Sequence, residues 1–489
     1  MTPVLLLGLI AAYFGLLIFI SWLTGRGADN QSFFVGNRKS PWFMVAFGMI
    51  GASLSGVTFI SVPGWVGSSQ FSYMQMVLGY LAGYAVIAFV LMPLYYRLNL
   101  ISIYGYLQQR FGFWAYKTGA LFFFISRLIG ASFRLFLVAD ALQILVFDRL
   151  PGFYVPFPVT VTLTVALIWL YTHRGGIRTI VWTDALQTLF MLVAVGVSLY
   201  VISSDLGGEG MWSAVASSDY SKWFFWDDWM DKKHFVKQFA SGALIAITMT
   251  GMDQDMMQKN LSCRNIKDAQ KNMVVFSIVL VFVNLLFLAL GALLFIYANT
   301  HGFEVPEKTD RLFPLMAIDH LGVVAGLFFV LGLIAAAYSS ADSALAALTT
   351  SVCVDFLNVD QMAEADRERT RKRTHIVVSF LLIIVIMFFR AYNDQNVIAS
   401  IFVAASYTYG PLLGLFAFGL LTRFQLRDHV VVVVACCLAP LVTFWINANS
   451  ASWFGQYQFA NELLLVNALL TILFLRIGHQ VVARLPVKS

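Results

Sequence analysis

Charge is scarce in this chain. Asp, Glu, Lys and Arg make up 12% of its 489 residues, whereas 59% are hydrophobic and the mean hydropathy is +0.77. No soluble core absorbs that much apolar surface, so a soluble globular protein is excluded. Cysteine is thin as well: Cys263, Cys353, Cys436 and Cys437 form neither a disulfide framework nor paired metal-ligand spacing, and they read as packing residues. Histidine is sparse and falls mostly in loops and at the ends of apolar runs, with no H-E-x-x-H pair and no nucleophile elbow, so the usual marks of a membrane-embedded enzyme are missing. Two-residue alternation is missing too. A membrane β-barrel is therefore excluded, and helices remain as the spanning structure.

What the sequence does have is repetition of apolar runs, each roughly 18 to 30 residues long. About thirteen can be counted, near 4–23, 42–67, 77–97, 115–146, 156–172, 181–204, 235–257, 274–299, 321–353, 374–391, 397–422, 428–447 and 461–478. The expectation is an all-α polytopic membrane protein. The net charge of +6 does not mark a nucleic-acid partner, because the charge follows topology. Alternate loops, from 24–41 to the C-terminal tail, hold about 19 Lys and Arg against about 6 in the loops between them. The cluster Arg367, Arg369, Arg371, Lys372 and Arg373 then marks a cytoplasmic loop. The N-terminus falls outside, the C-terminus inside, and the acidic loop near 205–234 outside, in an integral plasma (inner) membrane protein. No basic stretch precedes the first run and no convincing cleavage site follows it, so it reads as a retained helix.

Polar groups interrupt a few of these runs. In Leu331–Thr350, Ser339, Ser340 and Ser343 share one flank of a helix with Asp342 beside them. Hard oxygens so placed suit Na⁺; the alternative is close helix packing with each hydroxyl bonded one turn back. An ionisable group at membrane depth favours function. The run Trp42 to Gly67 is broken up by Gly48, Gly51, Ser53, Ser55, Gly56, Thr58, Ser61, Pro63 and Gly64, which suits either an unwound turn lining a cavity or a tightly packed small-residue helix. Arg127 and Arg134 lie seven residues apart near the middle of one run and must meet a carboxylate, a carbonyl, water or an anionic solute. Asp140 and Asp342 are the internal partners expected for them. Asp184 follows the turn at Gly175, where it caps or favours a helix N-terminus. The carboxylates of Gly251–Lys259 read as a solvated helix end.

Taken together, these residues resemble the sodium:solute symporter family. The stretches that carry the resemblance, in order, are Ser55-Gly-Val-Thr-Phe-Ile-Ser-Val-Pro-Gly64, Tyr106-Leu-Gln-Gln-Arg-Phe-Gly112, Gly175-Gly-Ile-Arg-Thr-Ile-Val-Trp-Thr-Asp-Ala-Leu-Gln187, Gly251-Met-Asp-Gln-Asp-Met-Met-Gln-Lys259, Ala336 to Ser343, and Gly410-Pro-Leu-Leu-Gly-Leu-Phe416. The resemblance implies a leucine-transporter-like core of two inverted five-helix repeats, 31–204 and 205–425. An extra helix precedes it in 1–30, and two helices and a tail follow in 426–489.

It also implies secondary-active, Na⁺-coupled import of a small polar or anionic solute such as sialic acid or a monocarboxylate. A sugar or amino-acid carrier is the alternative within the family, although Val57-Thr58 stands where the sugar branch has Glu-Gln. A channel is the alternative of a different class. By the same resemblance, carbonyls of Gly51, Leu54 and Ala336 and hydroxyls of Ser339 and Ser340 form a main Na⁺ site. Asp184 and Ser343 suggest a second cation site, with Asp342 standing where a hydroxyl would be. The substrate pocket is expected around Ser53, Ser55, Thr58, Phe71, Gln75, Arg127 and Arg134; Phe71 and Gln75, four apart, share a face if the third helix begins this early, the alternative being an ordinary interfacial helix start. The partners expected are Na⁺, a small solute and the bilayer.

Overall fold

Apolar runs bounded by polar loops satisfy their backbone groups within themselves, and they fold as helices. The computed structural model describes residues 3–483 other than 27–28, 149, 151, 153, 174–175, 207–209, 393–396, 456 and 458. Gly175, Glu209 and the end of the C-terminal tail therefore lie outside the described residues. Among those described, the only extended pairing is an isolated bridge between Ser40 and Cys263.

Among the described residues, ten helices are long and apolar enough to cross a membrane: Leu5–Thr24, Trp42–Ser69, Tyr73–Arg97, Phe113–Leu142, Ile177–Asp205, Ile266–His301, Gly322–Phe356, Asp366–Ala391, Val431–Ala448 and Leu463–Ala483. The pair Ile401–Thr408 and Gly410–Leu421, bent by 44°, makes an eleventh span if counted as one. The count of about thirteen expected from the sequence also included 156–172 and 235–257, and these two fall short. Phe157–Thr172 has 16 residues, about 24 Å of helix. Phe235–Ala246 continues through a wider helical turn, Ile247–Gly251, and then gives way to a separate short helix, Gln254–Leu261.

Trp42–Ser69 is the axis of the site. It packs against Ile177–Asp205, Ile266–His301 and the serine-bearing helix Gly322–Ser351, the last of which meets it near its midpoint, where Ala337 lies against Gly56 and Ser340 against Ala52. There the helix breaks at Ser55, whose backbone sits at φ 37° and ψ 167°. A non-glycine residue in this region costs on the order of 1–3 kcal/mol, and the surrounding packing must hold it there. The small residues around the break, anticipated from the sequence, let neighbouring helices approach closely enough to do so.

A second close approach is made without any side chain. Tyr73–Val86 and Phe235–Ala246 cross backbone to backbone, so that a Cβ on Gly242 would lie 2.1 Å from the Met76 carbonyl oxygen and one on Gly79 would lie 2.1 Å from that of Phe239.

Candidate functional site

Beside the break is a cavity of about 100 Å³. The broken helix contributes Ser53, Ser55 and Thr58, and the next helix contributes Tyr73, Tyr80 and Tyr84. Arg127 and Arg134 come from Phe113–Leu142, Thr250 from the wide turn, and Asn284 and Phe402 close the lining. Five of the seven residues expected in a substrate pocket are thus brought together.

The other two are elsewhere. Gln75 donates to the Lys233 carbonyl at 2.8 Å and accepts from the Phe225 amide at 3.1 Å. Phe71 is buried, its amide donates to the Lys222 carbonyl at 3.2 Å, and its ring lies 6.3 Å from that of Trp223. The helix begins only at Tyr73, so Phe71 lies in the preceding turn and the two do not share a helix face; each instead holds down the connecting segment before Phe235, outside the cavity.

The two arginines have different surroundings. Arg127 is 3% exposed, hydrogen-bonds Asp255, and lies 3.9 Å from Asp253 Oδ2, which also accepts from the Tyr409 hydroxyl at 2.5 Å. Arg134 lines the same cavity with no carboxylate within 4 Å among the described residues, and its buried Nε has no hydrogen-bond partner. Neither arginine pairs with the expected carboxylates: Asp140 faces Arg311 at 4.0 Å, and Asp342 accepts from the Tyr171 hydroxyl at 2.9 Å and from the Ser343 amide at 2.5 Å.

The reason is that Gly251–Lys259 is not a solvated helix end. After the wide turn the chain re-enters the interior, and Asp253, Gln254, Asp255, Gln258 and Asn260 have no exposed surface while Lys259 is 1% exposed. These are the buried polar residues beside the cavity that the sequence reading missed. Their signal was the density of carboxylate, amide and ammonium groups directly after an apolar run.

The serine helix meets the first half of the broken helix just beneath the cavity. Ser340 Oγ donates to the Ala52 carbonyl at 3.3 Å, and the Gly51 amide donates to Thr188 Oγ1 at 3.0 Å. Ser339 Oγ donates to Asp184 Oδ1 at 2.8 Å. Gly51, Leu54, Ala336, Ser339 and Ser340 are all buried at or next to this contact, offering hydroxyl and carbonyl oxygens of the hard kind that suits an alkali cation. The second group is less coherent. Asp184 Oδ2 lies 2.7 Å from Lys259 Nζ, and Ser343 Oγ donates to the Ser339 carbonyl at 3.0 Å and lies 3.2 Å from Asp255 Oδ2.

Comparison with known proteins matches this arrangement to a family. The sodium:solute symporter family model matches residues 33–424. The chain is 24% identical over 470 residues to the sodium/sialic acid symporter NanT of Aliivibrio fischeri, covering 93% of this chain and 90% of that one. It is 23% identical to the sodium/sialic acid symporter SiaT of Proteus mirabilis, with 86% and 85% covered, and 24% identical to sodium-coupled monocarboxylate transporter 2 of Danio rerio, with 89% and 70% covered. Among solved structures, a substrate-bound, outward-open Na⁺-coupled sialic acid symporter superposes with a TM-score of 0.81 at 18% identity, covering 97% of this chain and 98% of that one. The fold is leucine-transporter-like.

Proposed function

The chain belongs to the sodium:solute symporter family, and from that premise we propose that it imports a small carboxylate-bearing solute such as sialic acid or a monocarboxylate. It is a secondary-active, Na⁺-coupled transporter embedded in the membrane, and not an enzyme. The observation that carries the substrate class is Arg134. A guanidinium facing a cavity inside a membrane protein, without a carboxylate of its own, leaves a planar pair of donors for an anion to complete. Arg127 is already committed to Asp255 and holds the cavity wall. The names of the sialic acid and monocarboxylate relatives support the same class.

Coupling follows from the break in Trp42–Ser69. Ser53 and Ser55 line the cavity, while the Gly51 and Leu54 carbonyls, with the Ala336 carbonyl and the Ser339 and Ser340 hydroxyls, are the groups we assign to the main Na⁺ site. A cation held there fixes the unwound turn that also presents the solute's partners, so each ligand preorganises the site of the other. A reciprocal coupling of about 1–3 kcal/mol is enough for symport. The two inverted repeats, 31–204 and 205–425, would then expose the site alternately, with the N-terminus outside and the C-terminus cytoplasmic in the plasma (inner) membrane.

The test is an uptake screen in proteoliposomes across carboxylates, sugars and neutral amino acids, with inward Na⁺ or K⁺ gradients. Uphill, Na⁺-dependent accumulation of a carboxylate is expected. Accumulation of neutral solutes alone would refute the substrate class, and equal flux with K⁺ and no uphill accumulation would indicate a channel.

A further inference from the structure

We propose that the ammonium of Lys259 fills the place of a second coupling cation, so that one Na⁺ and not two accompanies each solute. The inference rests on the main Na⁺ site assigned above and concerns the neighbouring group of Asp184, Asp342 and Ser343. Each of those three candidate ligands already has a protein partner, and both carboxylates have theirs at both oxygens. Asp184 accepts from Ser339 Oγ through Oδ1 at 2.8 Å and faces Lys259 Nζ through Oδ2 at 2.7 Å. Asp342 is held at both oxygens, by the Tyr171 hydroxyl at 2.9 Å and the Ser343 amide at 2.5 Å. The Ser343 hydroxyl donates to the Ser339 carbonyl at 3.0 Å.

Lys259 arrives from outside this group, on the short buried helix Gln254–Leu261, and is 1% exposed. An ammonium carries the same single charge as Na⁺ on a compact head and directs three protons at oxygen. Its nitrogen is also 4.0 Å from Asp255 Oδ1, so one bound charge ties Asp184 on Ile177–Asp205 to the carboxylate that holds Arg127. Such a cation is covalently anchored. It neutralises Asp184 in every turn of the cycle, and because it never crosses the membrane it draws no work from the Na⁺ gradient.

The proposal is tested by counting ²²Na⁺ bound per chain by equilibrium dialysis of the purified full-length protein, alongside the Na⁺ dependence of uptake. Wild type should bind one Na⁺ with a Hill coefficient of one, and Lys259→Arg should behave the same way. Lys259→Met, which uncovers Asp184, should bind two, and Asp184→Asn/Lys259→Met should return to one. The double variant leaves no unpaired buried charge at this contact and keeps the comparison available if the single variant fails to fold: two ions in the double variant would overturn the proposal. Two ions in wild type, or one in folded Lys259→Met, would overturn it as well. No bound Na⁺ in wild type would instead refute the main site, and this inference with it.

Discussion

Replacing Arg134 by Gln should separate recognition from stability, because its charge serves no ion pair among the described residues. Its guanidinium has no carboxylate within 4 Å among the described residues, so Gln leaves no buried counter-charge behind, and thermal stability should stay within about 1 kcal/mol of wild type. A bound carboxylate, by contrast, would lose charge-assisted hydrogen bonds of about 1.5–3 kcal/mol each, partly replaced by one amide donor. A net loss of about 2–3 kcal/mol corresponds to roughly a 30- to 150-fold rise in KM. The control is Arg127→Gln. It removes the guanidinium hydrogen-bonded to Asp255, which has no exposed surface and keeps only Lys259 at 4.0 Å and the Ser343 hydroxyl at 3.2 Å, and should cost up to about 3–5 kcal/mol of stability whatever solute is offered. Uptake in proteoliposomes and thermal melts of the detergent-purified variants give both readouts. If Arg134→Gln takes up carboxylates like wild type, or melts as early as Arg127→Gln, the assignment of Arg134 to the solute is wrong.

Other residues of the same region give sharper local tests. Ser340→Ala removes the hydroxyl that meets Ala52 and should raise the Na⁺ concentration for half-maximal uptake by about tenfold, the equivalent of 1.4 kcal/mol, with the melting temperature little changed; unaltered Na⁺ dependence would exclude it as a ligand. Gly51→Ala would put a Cβ 2.3 Å from Thr188 Oγ1, and this overpacking should cost about 1–3 kcal/mol and weaken Na⁺ activation as the broken helix is pushed from Ile177–Asp205. Outside the spans, Asp29 accepts from the Ser32 amide and hydroxyl at 2.7 Å, which holds its carboxyl below the usual range. Its contribution is therefore present above the ordinary value of 3.8 and fades as pH falls through its lowered one. Asp29→Ala should loosen the helix Asn30–Val35 by about 0.5–1 kcal/mol near pH 7, with the difference shrinking as pH falls below 3.8, as read by amide exchange at Ser32.

The parts of this molecule legible in the sequence were those that depend on local composition. Long apolar runs fixed the helices, and the crowding of glycine and serine between Gly48 and Gly64 announced the break that the backbone makes at Ser55. The flank of Ser339, Ser340 and Ser343 was readable from spacing alone. Partners across helices were not. Spacing places Arg127 and Asp255 on separate elements 128 residues apart and says nothing of their meeting, which depends on the chain turning back inward after Gly251. The same holds for Gln75, whose bonds run to Lys233 and Phe225. Asp342 was expected beside an arginine because both are charged and deep, yet a tyrosine hydroxyl and a backbone amide satisfy it.

The crossing at Gly79 and Gly242 bears on how such a carrier can move. Helices separated by side chains can slide as rotamers readjust, but here carbonyl oxygens sit where side chains would begin. Tyr73–Val86 and Phe235–Ala246 have no slack to give up, so they must travel as one strut through the transport cycle. The seam that admits the solute then cannot open between them. It has to run along a contact that repacks, such as the one where Ile401 and Phe402 close over Arg134, and labels placed across that contact should change separation while a pair spanning Gly79 and Gly242 keeps a constant distance.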